Sequence, residues 1–313
     1  MEDSIKEVNS VFEQPWWLEA VAPGQWDCFE LKKDDVLIAR IPYVKSSRFG
    51  FKVLCNPQCT QTLGPWLNCN LSKTVNILSR QKELLVQLID QIPSKCNVDF
   101  CFDSSLKYLL PFRWSGFRYE PSFSYRFEDL SDLDSIFKGM KDSRKTVIKN
   151  AQKKLIVKDD STIDVLIEMQ NKTFKRQNRS SPISTEIIQR IDDACLKHNA
   201  RFLLTAEDNE GNIHASSYFV FDENRCYYLM SGANPEYRNS GAGSLLIWEG
   251  IKRAAQVSKA FDFEGSNIED IETNFRSFGA DFIVNYRVYR LNFILTMADY
   301  LKPKIKKIIG YKN

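Results

Sequence analysis

One stretch governs what this chain can fold into. It runs from Arg225 to Ala280 and centres on Tyr237-Arg238-Asn239-Ser240-Gly241-Ala242-Gly243-Ser244. Arg225 to Met230 is aromatic and apolar enough for a buried strand, and Leu245, Leu246, Trp248, Ile251 and Ala255 recur behind the loop at helical spacing. The stretch predicts a strand, a glycine loop and a helix. Such a turn aims free backbone N–H groups and the positive end of a helix dipole at one spot, which suits an anionic phosphate. Gly241 and Gly243 carry no Cβ, so a pyrophosphate can approach the main chain around Ala242 and Ser244, and Arg238 adds a charged fork. A plain glycine turn ahead of a core helix has the same spelling, so the flanking sequence must separate the two.

Downstream, Phe261 to Ser266 reads as a strand, Ile268 to Phe278 as a helix ending at Gly279, and Phe282 to Tyr289 as a further strand. Arg-x-x-Gly-x-Gly between strand and helix resembles the acyl-CoA pyrophosphate loop of the GNAT acyltransferase superfamily. Asp262-Phe263-Glu264-Gly265-Ser266, followed by Asn274-Phe275-Arg276-Ser277-Phe278-Gly279-Ala280, resembles the closing half of its Fem-type (FemAB-like) branch. Arg144-Lys145-x-x-Ile148-Lys149-x-Ala151 and Thr173-Phe174-Lys175-Arg176-Gln177 are similar to two more stretches of that branch, the second to a helix end near the substrate cleft. The resemblance implies an α/β fold of the α+β mixed-sheet kind, with two GNAT-like domains in tandem. It also implies N-acyl transfer from acetyl-CoA or another acyl-CoA to an amine, with Arg176 and Gln177 on the acceptor side.

The chain's 313 residues suffice for two domains of ordinary size, and 12% aromatic residues supply core material. A net charge of +3 gives no overall case for nucleic-acid binding. The N-terminal residues are acidic with no apolar run behind them, so neither a signal peptide nor a membrane span is read there and a cytoplasmic protein is expected. Eight cysteines form no C-x-x-C pair; Cys55, Cys59 and Cys69 lack knuckle spacing and the two histidines lie far along the chain, so no metal is expected.

The periodicities give β-β-β-α-β-α-β in the first half and β-α-α-β-β-β-α-β-α-β in the second, two unequal copies of one architecture. The expected organisation is a degenerate GNAT-like domain over 1–130, a basic connecting helix over 131–154, a cofactor-holding GNAT domain over 155–290 and a basic amphipathic helix over 291–313. In the first half the loop position is Cys55 to Pro65, where prolines remove N–H donors and no paired glycines occur. Only the second domain is therefore expected to hold the cofactor. Lys141, Arg144, Lys145, Lys149, Lys153 and Lys154 punctuate the connecting helix, with Met140, Val147, Ile148 and Ala151 turned inward, as on a solvated face between domains. The C-terminal helix is expected on the second domain, and its lysines, Lys302, Lys304, Lys306 and Lys307, allow peripheral contact with an anionic membrane.

Acyl transfer to an amine needs a held donor, a polarised carbonyl and a way to take the amine's proton. Ser231-Gly232-Ala233 ends the strand, where glycine permits a bulge that aims a backbone N–H at the oxyanion. Strand alternation puts Asp262 and Glu264 on one face, and Glu264, nearer the mouth, is the expected general base. The tyrosine that many GNAT enzymes use as general acid is replaced by Phe275, which has no proton to donate. Trp17 and Tyr43 are candidates for the acceptor cleft, with Trp16 and Arg40, although aromatic residues are more often core. Three functions follow. The first is an acyl-CoA-dependent N-acyltransferase on an amino sugar or related cell-surface polysaccharide precursor. The second is a Fem-type transferase that moves an amino acid from charged tRNA to a peptidoglycan precursor. The third is a non-catalytic binding protein on the same scaffold.

Overall fold

The computed structural model describes residues 4–265 and 268–308, with side chains as far as Leu301. Ser266, and the side chains of Lys302, Lys304, Lys306 and Lys307, lie outside the described set. The chain is divided between two compact units, one running to Phe123 and resuming at Val284, the other spanning Ser124–Ile283.

The first unit opens with α1 (Pro15–Val21), β1 (Trp26–Lys33), β2 (Val36–Arg48), β3 (Phe51–Cys55) and β4 (Trp66–Leu67). It continues through α2 (Thr74–Asp90), β5 (Asn97–Phe102) and α3 (Leu110–Trp114) to β6 (Arg118–Phe127), whose last residues belong to the second unit. Asp34 and Asp35, both left-handed at φ 51° and 62°, make the tight β1–β2 turn that a hairpin of this twist prefers. β3 and β5 pair in parallel, and α2 joins them, burying Leu84, Leu85, Leu88 and Ile89 in the core of this unit. α3 starts at Leu110, because Pro111 fits a first helical turn and no later position.

The second unit adds α4 (Leu133–Gly139), α5 (Asp142–Gln152), β7 (Ile156–Lys158), α6 (Ile163–Arg176) and α7 (Thr185–Lys197). β8 (Arg201–Glu207), β9 (Ile213–Phe221), β10 (Arg225–Ala233), α8 (Ala242–Ala254), β11 (Ala260–Asp262) and α9 (Glu269–Arg276) follow. Its sheet runs β6-β11-β10-β9-β8-β7, with β10 and β11 parallel. The expected single basic helix is two helices: the chain extends at Met140, buries that side chain, and Lys141 donates its N–H to Ser277 O at 3.0 Å. α5 buries Ile148 and Ala151, while Val147 stays part-exposed.

The chain then returns to the first unit through β12 (Asp281–Arg290) and α10 (Phe293–Ile308), so the units part at 123/124 and 283/284 instead of at 130 and 290. β12 pairs with β5, Tyr286 opposite Phe102. Leu295 of α10 packs with Val53 and Cys55, and Arg287 reaches Asp99, Glu120 and Asp299. The expectation that the tail packs on the second domain is therefore corrected: strand pairing carries it to the first unit.

Candidate active site

β10 pairs with β9 as far as Ala233 but with β11 only over Arg225 to Tyr227, so the two parallel strands part beyond that point. Open parallel sheets hold ligands in such a crevice at the carboxyl ends of the strands. A cavity of about 270 Å³ lies there, lined by Arg176, Tyr228, Ala233 and the loop from Arg238 to Ser244.

The loop has the backbone that its sequence predicts. Gly241 is left-handed at φ 80° and caps α8, and a Cβ on it would stand 2.9 Å from Val147 Cγ1, inside contact distance. A Cβ on Gly243 would meet nothing within 4 Å. Leu245 is the first residue of the turn whose N–H finds a helix acceptor, Gly241 O at 3.0 Å. The Ala242 N–H rests on Ser240 Oγ at 3.3 Å. The N–H groups of Gly243 and Ser244 have no acceptor within the helix, as the first turn of any helix dictates.

A residue that the sequence showed in a charge run and in a stretch similar to the Fem-type branch completes the setting. Arg144 of α5 donates to Ser244 Oγ, to Asn274 Oδ1 and, at 2.9 Å, to Ser277 Oγ, and its guanidinium lies 4.8 Å from the centre of the Phe278 ring. All three partners are neutral oxygens. Burial without a facing carboxylate pulls its pKa below the usual guanidinium value. A half-buried cation that grips the first turn of α8 and meets no anion among the described residues adds to the helix dipole at the same place.

The carbonyl-polarising position differs from expectation. The bulge in β10 is at Leu229, where the register shifts between Tyr228 and Met230. Ser231, Gly232 and Ala233 are regularly paired with Ser217, Ser216 and Ala215. Ser231 is exposed and does not line the cavity, and the Ala233 N–H is taken by Thr173 Oγ1 at 2.9 Å. Gly232 serves close packing instead, since a Cβ there would lie 2.2 Å from the backbone nitrogen of Gln170 on α6.

The expected base is also corrected. β11 ends at Asp262 and the chain turns left-handed at Glu264, φ 61°, so strand alternation does not extend to it. Asp262 is buried, accepts from Arg126 Nε at 2.8 Å and Ser124 Oγ at 2.5 Å, and receives the Glu264 N–H at 2.8 Å. A carboxylate so engaged is a structural anchor for β6 and the chain beyond β11. Burial, then the neighbouring Asp262, pushes the Glu264 carboxyl well above the ordinary range, which favours its protonated form. Neither residue lines the cavity.

Of the acceptor-side candidates, Arg176 lines the cavity, and Gln177 follows it at the exposed end of α6. Trp17 and Tyr43 are core residues of the first unit: Trp17 is fully enclosed with its indole N–H on Thr60 Oγ1 at 3.0 Å, and Tyr43 stacks on Phe29 at 4.5 Å. Phe275 is buried beside Phe263 and meets Tyr228 edge-on at 6.0 Å. Tyr228, Asn274 and His214 are lining or neighbouring polar groups that periodicity could not reveal. Their only sequence signal is a polar residue at the edge of an apolar run.

Residues 140–268 match the family model described as Acetyltransferase (GNAT) domain. No curated protein sequence matches the chain. Among solved structures, FemX overlaps 92% of this chain and 94% of its own at a TM-score of 0.70 and 12% identity. A conserved protein of unknown function from Bacteroides thetaiotaomicron gives a TM-score of 0.56 at 14% identity, over 88% of this chain and 90% of that one. L-PGS from Bacillus licheniformis gives 0.53 at 14% identity over 88% of each chain. Residues 140–268 thus carry a GNAT acetyltransferase domain, and the chain shares the mixed α/β fold of FemX.

Proposed function

We propose that the protein is an N-acyltransferase whose second unit takes the acyl group of an acyl-CoA, acetyl-CoA being the simplest, and passes it to the amine of a small acceptor. The Fem-type resemblance supports an amino sugar or cell-surface polysaccharide precursor as that acceptor. One observation carries the reading: Arg238 and the α8 residues Gly243 and Ser244, whose N–H groups have no helix acceptor, line one cavity, and Arg144 holds two of its lining residues, Ser244 and Asn274, with no ion pair to a carboxylate among the described residues. That arrangement matches the diphosphate of a nucleotide-bearing thioester. The amine attacks the acyl carbon, the oxyanion forms beside the Leu229 bulge, and the thiolate leaves. Tyr228, held in its protonated form by burial and close to the Ser231 and Ser217 hydroxyls, brings to the cavity the phenol that Phe275 lacks.

Calorimetric titration with acetyl-CoA tests this. Gly243→Asp places a carboxylate in open space, so the chain should fold while affinity falls at least ~100-fold through like-charge repulsion. Equal affinity of variant and parent overturns the loop's role.

The second reading is amino-acid transfer from charged tRNA to a peptidoglycan precursor. It is favoured by a second cavity of about 470 Å³ lined by Lys141, Arg144 and Arg276, next to the basic face of α5. Retention of charged tRNA without acetyl-CoA binding would select it. CoA binding without turnover on any amine would leave a non-catalytic scaffold. The place of action we propose is the cytoplasm. No described helix is long and apolar enough to cross a membrane. Phe293, Ile294, Tyr300 and Leu301 are exposed on α10, which supports peripheral contact with anionic lipid, to be read by flotation with phosphatidylglycerol vesicles.

A further inference from the structure

The larger cavity, of about 470 Å³, stands against the one that holds the glycine loop, and Asn274 lines both. One wall is α9 with its C-cap, which presents Asp270, Thr273, Asn274 and Ser277 at positions i, i+3, i+4 and i+7 of a single helical face; the start of α5 brings Lys141 and Arg144. Arg144 sets the polarity of the partition between the cavities. It donates to Ser244 Oγ, Asn274 Oδ1 and Ser277 Oγ, so these oxygens are engaged as acceptors. The Ser277 hydroxyl hydrogen goes to Asn274 O at 2.6 Å. The Ser244 O–H, the Asn274 NH2 group and two of the five guanidinium N–H groups are left over as donors without an acceptor among the described residues. The Lys141 ammonium also meets no partner among the described residues, and Arg276, at the far side, is held in place by Glu272 at 3.0 Å. Against three cations and a surplus of donors the lining sets one carboxylate, Asp270.

We propose that this second cavity binds the 3′-phosphate of the donor's nucleotide, with Lys141 and Arg276 selecting a 3′-phosphorylated carrier. The inference rests on the acyl-CoA reading and names which end of that donor the second cavity recognises. CoA carries its diphosphate and its phosphomonoester on the same ribose, so two anionic groups stand one sugar apart. The protein offers two donor-rich cavities that share Asn274, with Arg144 in the partition reaching Ser244 of one and Ser277 of the other. A phosphomonoester is close to doubly charged at neutral pH and presents three strong acceptor oxygens, which suits a lining of ammonium, guanidinium and amide donors. Asp270 opposes it, and that makes the sign of its removal informative.

The experiment titrates the full chain by calorimetry with acetyl-CoA and with acetyl-dephospho-CoA, which differ by that phosphate alone. The parent should bind acetyl-CoA ~10-fold or more tightly than its dephospho form. Lys141 and Arg276 are exposed, so the double variant Lys141→Ala, Arg276→Ala should fold as the parent does. In it the preference should shrink to within about twofold, with the affinity for acetyl-dephospho-CoA unchanged. Asp270→Asn should widen the preference ~2–5-fold, the worth of one exposed like charge removed. A purely structural role for these residues would move both donors alike. Equal affinity of the parent for the two thioesters, or an equal loss for both in the double variant, overturns the phosphate site and leaves the glycine loop standing. Charged tRNA retained by the parent and released by the double variant, with no preference between the thioesters, overturns it in favour of RNA in this cavity. A parent that binds neither thioester overturns the acyl-CoA reading and this site with it.

Discussion

Both units contain the same unit of chain: a strand, a loop, a helix and a parallel strand, as β3-α2-β5 in the first and β10-α8-β11 in the second. They differ in what the loop does with its donors. In the second, Gly243 and Ser244, whose N–H groups have no acceptor within the helix, line a cavity. In the first, the Gly64 N–H meets the buried Glu13 carboxyl at 3.0 Å, the Leu63 N–H meets Cys101 O at 2.9 Å, and the Asn56 amide spans Gln61 O and Cys101 O. The first copy has kept the architecture and filled the anion position with its own side chain.

The largest effect should come from emptying that internal site. Glu13→Ala leaves the Gly64 N–H without its acceptor, takes one of two acceptors from the Asn9 amide and removes a carboxyl that interacts electrostatically with Arg40, which is 2% exposed. Breaking one partner of so enclosed a set costs about 3–5 kcal/mol. Urea unfolding should show it as a large fall in midpoint, and Glu13→Gln, which keeps an acceptor oxygen, should lose much less. Equal stability of Glu13→Ala and parent would mean that the carboxyl does not close the first loop.

The mirror experiment in the second unit is Arg144→Met. Because its three partners are neutral and no ion pair to a carboxylate is made among the described residues, replacing the guanidinium should leave the thermal midpoint nearly unchanged. Acetyl-CoA affinity should fall by about 1.5–3 kcal/mol, the worth of hydrogen bonds to a charged group. Calorimetry and a thermal melt on the same sample separate the two. Loss of stability with affinity intact would make Arg144 a packing residue.

What was legible in the sequence follows the same divide between local and distant causes. The glycine loop and α8 could be read because a left-handed Gly241 and the period of Leu245, Leu246, Trp248 and Ile251 are properties of one short segment. The hairpin at Asp34 and Asp35 was equally local. Asp262 and Glu264 were misassigned because alternation assumes an extended chain, and the backbone reverses its φ at Glu264. Arg144 stood in a stretch similar to the Fem-type branch, but its partners were not legible, since only the approach of α8 and α9 gives it Ser244, Asn274 and Ser277. His214 had a readable turn in front of it, Asp208 and Asn212, but the cavity it lines is assembled from β10, α6 and the loop. Trp17 and Tyr43 went the other way, their aromatic surface being needed for the core.

The two loop glycines sharpen the comparison on a smaller scale. Gly241→Ala must hold φ 80° and push its Cβ against Val147 and Ala151, at a cost of about 1–2 kcal/mol. Gly243→Ala meets nothing within 4 Å and replaces glycine inside a helix, so it should gain up to about 1 kcal/mol. Thermal melts of the two variants should therefore move in opposite directions. Shifts of the same sign would mean that the loop backbone is not held as described.

The smallest effect concerns Glu264, and it is a matter of sign. Its folded pKa is raised, by burial first and by Asp262 second, so folding favours the protonated carboxyl. The stability linked to that proton is complete below the unfolded value near 4.5 and is lost as pH rises through the folded value. Glu264→Gln carries a neutral group of the same shape and has no proton to lose. The midpoint of the variant should match the parent in acid and exceed it by a margin that widens as the pH is raised. The buried Glu13 of the first unit has the same direction of shift, yet Asn9, Arg40 and Gly64 all oppose it, so Glu13→Gln should show a shallower pH trend than Glu264→Gln. Parallel melts of both variants across pH 4 to 9, as a range of about five units in which carboxyls with raised pKa titrate, decide it, and a steeper trend at Glu13 would reverse the contrast between a loop closed by a supported carboxyl and a strand end that carries a strained one.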